Sequence, residues 1–276
     1  YIRDPDRPDM LHWTSLDEQG KAWFTAQWEW QGETLQLQSA TDEAAAERLV
    51  QLFQAAFAQN PSSRRRLQGT EVTTRLDFPR DWGLGSSSTL VSLLSRYLEV
   101  DPYQLLAASF GGSGYDIACA TADGPLLYLR RPASPAAPLV TERYDWYPPY
   151  ARALFFVYLG QKQDSREGIA RYRDRGKTNQ RVIEQINHLT FDLLEAEDEA
   201  TAGEVLREHE ALVGQTLGLP PVQQQRFPDF PGTVKSLGAW GGDFALALSP
   251  WPPKRTRAYF AERGCKPVIA YDQMVL

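Results

Sequence analysis

An α+β fold is predicted from three features of the chain. Strand-like alternation and helical spacing follow one another without regular βαβ units, two glycine-rich turns each lead into a helical run, and a fresh strand begins near residue 150. We therefore read two domains, 1–150 and 151–276.

Residues 10–38 read as strands, with Phe24, Ala26, Trp28 and Trp30 on one side, a turn at Gln31-Gly32, and the pattern continued by Leu35 and Leu37. Thr41 is placed as the cap of a helix with Asp42 and Glu43 in its first turn and an apolar face of Leu49, Phe53, Ala56 and Phe57; Asn60-Pro61-Ser62 ends it. Arg64-Arg65-Arg66 is read as a solvated turn, with contact to an anionic substrate as the alternative. Val72, Thr74, Leu76 and Phe78 alternate, giving a strand that delivers the chain to Gly83-Leu84-Gly85-Ser86-Ser87-Ser88. Beyond it, Leu90, Leu93, Leu94, Tyr97 and Leu98 recur at helical spacing and mark a buried face. Asp101-Pro102 caps and opens a short helix, and Gly111-Gly112-Ser113-Gly114-Tyr115-Asp116 leads into a run of small residues. Leu126–Leu129 is a strand, and 132–138 a proline-rich surface connection.

In the second half, 153–159 is a strand, 166–181 is rich in arginine, and helical patterns fill 178–216. Residues 232–249 form a hairpin around Gly238-Ala239-Trp240-Gly241-Gly242, and a helix after Pro252-Pro253 and a strand from Pro267 to Tyr271 close the chain. No internal repeat is found.

At 276 residues with 42% hydrophobic content the chain can fill a core, and its net charge of −6 argues against general nucleic-acid binding while leaving room for a local anion site. The two cysteines, Cys119 and Cys265, sit in no metal or disulfide pattern, so a reducing, cytoplasmic setting fits, with Cys119 read as a small buried residue. No apolar run approaches the ~20 residues of a membrane span. His12, His188 and His209 are scattered and receive no role.

The chemistry is expected at the glycine-serine loop. A helix start carries unpaired N–H groups and partial positive charge, and glycines remove the side chains that would keep a phosphate from the backbone. The alternative is that Ser86–Ser88 only cap a helix.

Three segments in this order resemble the motifs of the GHMP kinases, the family of galactokinase, homoserine kinase, mevalonate kinase and phosphomevalonate kinase. Phe78-Pro79 to Ser88 resembles the phosphate loop P-x-x-x-G-L-G-S-S-A, with Ser88 where alanine is usual. Gly112-Ser113-Gly114-Tyr115-Asp116-Ile117-Ala118 resembles the segment carrying the catalytic aspartate in mevalonate kinases, and G-S-G-F-D of phosphomevalonate kinases more closely. Lys235-Ser236-Leu237-Gly238-Ala239-Trp240-Gly241-Gly242-Asp243 resembles the C-terminal K-x-x-G-A-G-G-G-D/G segment. The resemblance implies an N-terminal α/β domain like ribosomal protein S5, a C-terminal ferredoxin-like domain, and ATP, Mg²⁺ and a small-molecule substrate bound between them. It implies that Gly83, Leu84, Gly85, Ser86, Ser87 and Ser88 hold the triphosphate and that a hydroxyl of Ser86 or Ser87, Ser87 by preference, faces the Mg²⁺. Asp116 would act on the substrate hydroxyl as base or electrostatic element, with an ordinary helix cap as the alternative. Ser113, Gly114, Lys162, Ser165, Gly238, Ala239, Gly241 and Gly242 would support the substrate. The alternative for the glycine hairpin is a purely structural turn, and for Lys162 and Ser165 a solvated loop. Expected partners are ATP and the substrate, with neither nucleic acid nor membrane; a homodimer is compatible.

Three departures stand out. The family's lysine-bearing G-K-x-x-x-x-G-E segment is not found, and since Tyr1 does not read as a native start we expect it upstream. No carboxylate lies between Asp101 and Asp116 to match the Mg²⁺-binding glutamate of mevalonate kinases. Trp240 replaces a glycine, and its indole is expected to narrow the cleft. The function expected is phosphorylation of mevalonate or phosphomevalonate, with a sugar or homoserine kinase, or a catalytically silent nucleotide- or metabolite-binding protein, as alternatives.

Overall fold

The computed structural model describes residues 2–3, 8–129, 140–143, 145–160, 165–174, 180–238, 240 and 243–275. Their contacts divide the chain into two units: 1–80 with 84–144, and 81–83 with 145–276. The glycine-serine loop thus passes from one to the other after Gly83.

The first unit runs β1 (Ile2–Arg3), β2 (Met10–Leu16), β3 (Ala22–Gln31), β4 (Thr34–Ala40), α1 (Glu43–Gln59), α2 (Arg64–Leu67) and β5 (Thr70–Arg75). After the loop come α3 (Ser86–Leu98), α4 (Pro102–Ala107), α5 (Tyr115–Cys119), and a separate pair, β6 (Leu126–Leu129) with β7 (Val140–Arg143). Its main sheet has the order β1-β5-β2-β3-β4, with only β2 and β5 parallel. The alternation read in β3 is the observed one: Phe24, Ala26, Trp28 and Trp30 point into a core shared with α1, α3 and α4. Phe53 of α1 meets Trp13 (5.9 Å), Trp28 (6.2 Å) and Phe57 (6.4 Å), ring centroid to ring centroid.

Several local expectations shift. The cap of α1 is Asp42, which accepts from the Ala45 N–H at 3.1 Å, because the Thr41 hydroxyl is engaged with the backbone of Thr25. The strand read to Phe78 stops at Arg75, where its partner β2 ends at Leu16. On α3 the inward stripe is Val91, Leu94, Ser95 and Leu98, and Leu93 is 53% exposed. A leucine next to the stripe completes a sequence pattern without lying on the buried arc. The arginine run is a helical turn. Arg64 lies over Phe57 (5.2 Å) and pairs with Glu33 (3.6 Å), while Arg66 donates to the Tyr97 carbonyl (3.0 Å) and pairs with Glu99. The Arg66 contacts are at the C-terminal end of α3, a helix roughly 20 Å long, so Arg66 is committed far from the loop at its start, while Arg64 is committed to α1 and the β3–β4 turn. Cys119 is exposed rather than buried, being the last residue of a helix whose inward positions are Ile117 and Ala118.

The second unit runs β8 (Leu154–Tyr158), α6 (Ser165–Asp174), α7 (Gln180–Glu195), α8 (Glu199–Leu217), α9 (Val222–Arg226), β9 (Thr233–Ser236), β10 (Phe244–Leu248), α10 (Pro253–Glu262), β11 (Val268–Ala270) and α11 (Tyr271–Met274). Its four-stranded sheet is antiparallel throughout, in the order β11-β8-β10-β9. The hairpin read at 232–249 is β9 and β10, paired from Leu248↔Thr233 to Ala245↔Ser236. Phe155, Val157, Ala245 and Ala247 face Phe227, Phe230 and Phe260, whereas Leu154 and Leu248 pack with Ala202 and Leu206 of α8.

Phe53 fills the space between sheet and helices of the first unit, so Phe53→Ala should cost about 3–5 kcal/mol. Leu93→Ala, on the exposed arc of α3, should stay within about 0.5 kcal/mol. Urea unfolding of both variants measures the contrast; equal losses would mean that the inward face of α3 is misassigned.

Candidate active site

The loop is held at its entry by aromatic packing. Trp82, in a short 3₁₀ turn at Arg80–Trp82, lies 5.7 Å from Phe244 edge-on and 6.3 Å from Tyr158. The Tyr158 hydroxyl donates to the Asp81 carbonyl (3.1 Å) and carboxylate (3.2 Å). Gly83 and Gly85 then adopt φ of +67° and +75°, a left-handed conformation that side-chain-bearing residues rarely take. This is the local reason for glycine at both positions.

The two glycines differ in what surrounds them. Around Gly85 a Cβ would meet nothing within 4 Å, so that side of the backbone is open. At Gly83 a Cβ would fall inside the Asp243 carboxylate. The space that the sequence suggests for a phosphate at Gly83 is therefore filled on one side by a carboxylate, and Asp243 is a loop residue that the sequence reading did not single out. Its motif position, directly before β10, was the available signal.

Gly85 is the N-cap of α3 and supplies no side chain to cap it; its carbonyl accepts from the N–H (2.9 Å) and hydroxyl (3.1 Å) of Thr89. Ser86 and Ser88 are half-buried and Ser87 is exposed. The first amides of such a helix have no intrahelical acceptor, and this end carries partial positive charge.

Asp116 lies in the first turn of α5, a helix that packs on α3 within the same unit. The helix cap is Gly114, at φ +86°, so Asp116 does not fill the cap position. Burial pushes the Asp116 carboxyl above its ordinary range, opposed by a hydrogen bond from the Tyr115 side chain. Gly114 itself is buried under Tyr103 and Tyr128, whose hydroxyl donates to the Ser113 carbonyl at 2.7 Å; Ser113 is exposed.

The third segment hangs on α8. Glu210, buried, accepts from Ser236 N–H (3.1 Å), Ser236 Oγ (3.0 Å) and Val222 N–H (3.0 Å). Lys235 Nζ donates to the Ser236 carbonyl at 2.9 Å, and burial holds its pKa below the ordinary lysine range against the pull of Glu210. Gly238 is exposed and open, with φ +59°. The Trp240 indole is 8% exposed and rests on Gly214 of α8, within the second unit. Lys162, Ala239, Gly241 and Gly242 lie outside the described residues, and Ser165 opens α6. Among the described residues no group of three or more His, Cys, Asp or Glu side chains is arranged to hold a metal, and no helix is long and apolar enough to cross a membrane.

The fold is shared with two solved proteins. The crystal structure of a Lin0012 protein from Listeria innocua superposes with a TM-score of 0.59 at 14% identity over 95% of each chain. L. major mevalonate kinase, solved in complex with R-mevalonate, superposes with a TM-score of 0.58 at 16% identity over 82% of this chain and 77% of its own. At these identities the likeness is one of fold alone: the chain shares an α+β fold with these two proteins, with one mixed sheet and one antiparallel sheet. No family model matches the sequence. No curated protein matches it either.

His209, next to Glu210 on α8, carries a testable consequence. Burial, and then the Lys235 charge, lower its pKa from 6.5 to about 4. The unfolded chain takes up this proton near 6.5 and the folded one resists until about 4, so stability is lost as pH falls through that window. With allowance for solvent screening the loss is about 1–2 kcal/mol. Denaturant titrations at pH 7 and pH 4 should show it, and His209→Gln should reduce the difference; an unchanged difference would remove His209 as its source.

Proposed function

We propose that the chain is an ATP-dependent small-molecule kinase of GHMP type, transferring the γ-phosphoryl group of ATP to a hydroxyl or phosphate of mevalonate or phosphomevalonate. One observation carries the reading. A 13-residue helix begins without a side-chain cap, directly after left-handed glycines, with open space at Gly85. Such a start offers backbone donors to an anion, and the motif order and the fold shared with mevalonate kinase supply the kinase context.

In this reading Leu84, Gly85, Ser86 and Ser88 bind the triphosphate through backbone N–H groups, and Gly83 turns the chain into position. The exposed Ser87 hydroxyl would help to hold the Mg²⁺, which would supply charge neutralisation to the transferred group. Magnesium keeps several waters and few protein ligands, so in this reading the metal would be held mainly by the nucleotide. Asp116, with its pKa moved toward the working range, orients or deprotonates the substrate hydroxyl. Ser113, Gly114 and Gly238 shape the substrate end, and we extend that role to Lys162, Ser165, Ala239, Gly241 and Gly242 by resemblance. The domain division near residue 150 is kept in the same terms. The order β11-β8-β10-β9, fourth-first-third-second within its sheet, supports a ferredoxin-like assignment for the second unit. A cytoplasmic enzyme is the natural setting.

A catalytically silent nucleotide-binding protein is the second reading. It is favoured by the causes of the Asp116 shift, which are burial and Tyr115, with no cation among the described residues contributing.

Asp116→Asn separates these readings. A carboxyl whose folded pKa is raised is disfavoured in its ionised form, and its contribution to stability is lost as pH rises through that shift. The asparagine variant should therefore be as stable as the parent at pH 7 or slightly more so. Its ADP release with mevalonate or phosphomevalonate should fall about 100-fold or more. ADP release unaffected by the substitution would favour the silent reading, and no turnover of mevalonate, phosphomevalonate, homoserine or sugars by the parent would remove the kinase assignment.

A further inference from the structure

Gly111, Gly112 and Gly114 hold φ of +68°, +110° and +86°, so the turn into α5 has the backbone freedom of glycine at almost every step. Its entry and exit are tied by the backbone itself. The Gly111 N–H donates to the Leu106 carbonyl at 2.8 Å, and the Gly114 carbonyl accepts from the N–H groups of Ile117 (3.1 Å) and Ala118 (3.2 Å). Between these ties the turn is open, since a Cβ at Gly111 or Gly112 would meet nothing within 4 Å. The Ser113 carbonyl is held there by the Tyr128 hydroxyl, which donates to it at 2.7 Å. Tyr128 is itself placed by β6, opposite Thr141 of β7. Tyr103 closes the other side of the turn. Its N–H donates to the Asp101 carboxylate at 2.8 Å, and a Cβ on Gly114 would stand 3.1 and 3.3 Å from its ring carbons and 3.0 Å from the Tyr128 hydroxyl.

A peptide plane between an exposed serine and a glycine turns over at little steric cost, because glycine takes positive and negative φ about equally. Turning the Ser113–Gly114 plane would take its carbonyl off the Tyr128 hydroxyl and carry Gly114, the cap of α5, out of its left-handed conformation. Asp116 follows two residues later, in the first turn of that helix. We propose that Tyr128 is the positioning residue of the aspartate turn: its hydroxyl selects the orientation of the Ser113–Gly114 peptide from which α5 starts, and thereby sets the Asp116 carboxyl against the substrate. The proposal rests on the role given to Asp116 under Proposed function.

The test compares the parent, Tyr128→Phe, Asp116→Asn and the double variant, all as the full chain. Tyr128→Phe keeps the ring and loses only the hydroxyl, and urea unfolding checks that it folds. Its amide exchange at residues 112–117 should quicken about five- to tenfold, the worth of one hydrogen bond, with that of α1 unaltered. Its kcat for ADP release with mevalonate or phosphomevalonate should fall about tenfold or more, while the KM for ATP stays within about twofold. In the Asp116→Asn background the same change should lower kcat less than about twofold, since a residue that acts through Asp116 has nothing left to position. Unaltered exchange in Tyr128→Phe would overturn the tether. Faster exchange with the parent's kcat would overturn the positioning role, and an equal loss in both backgrounds would overturn its action through Asp116. No turnover by the parent would remove the kinase reading and the positioning role together, whereas the tether stands or falls by the exchange alone.

Discussion

Everything at the candidate site depends on how α3 begins. A helix start must dispose of amides that have no partner within the helix, and most sequences do so with a serine, threonine, asparagine or aspartate at the cap. Asp42, Asp101 and Asp198 do this for α1, α4 and α8. At α3 the cap is Gly85, which has no side chain to offer, although three serines follow at once. A one-residue shift would have placed a serine at the cap; instead the left-handed turn at Gly85 puts them all inside the helix. The cap residue therefore offers the donors of the first turn no side-chain acceptor.

The loop is held by aromatic packing at one end and helix packing at the other. Trp82, against Tyr158 and Phe244, fixes the chain before Gly83. Beyond Gly85, Val91, Leu94 and Leu98 bury the inward face of α3 in the core of the first unit. Between these anchors only the two glycines have backbone freedom, and both are in conformations that other residues adopt at a cost.

Much of this was legible in the sequence, for reasons that are local. The period-two run from Phe24 to Trp30, the Asp101-Pro102 start and the hairpin around Gly238 each rest on a few adjacent residues, and each is present. What escaped depends on partners distant in sequence. Leu93 fits a helical repeat, but only the direction from which the core approaches α3 decides that Leu94 is buried and Leu93 is not. Arg66 looks like a solvent charge until Tyr97, 31 residues on, supplies its acceptor. Thr41 is a good capping residue that lost the position because Thr25 of the neighbouring strand engages its hydroxyl.

Trp240 shows most sharply why substitution within a motif cannot be read from bulk alone. Judged by size, an indole in a glycine position beside a phosphate loop is an obstruction. The outcome depends instead on whether the fold offers the ring a place elsewhere. Here α8 presents Gly214, where a methyl group would stand 2.9 Å from the indole and 2.6 Å from the Leu219 carbonyl. Full burial of a large apolar side chain is worth roughly 1.5–3 kcal/mol, comparable with the roughly 1–3 kcal/mol that positive φ costs. The two terms nearly offset, so tryptophan can stand at a left-handed position at little net cost in stability. A glycine there would adopt the same φ without strain but would have no ring to seat on α8. The exchange therefore leaves the backbone path available to both residues and removes only the ring's seat on Gly214.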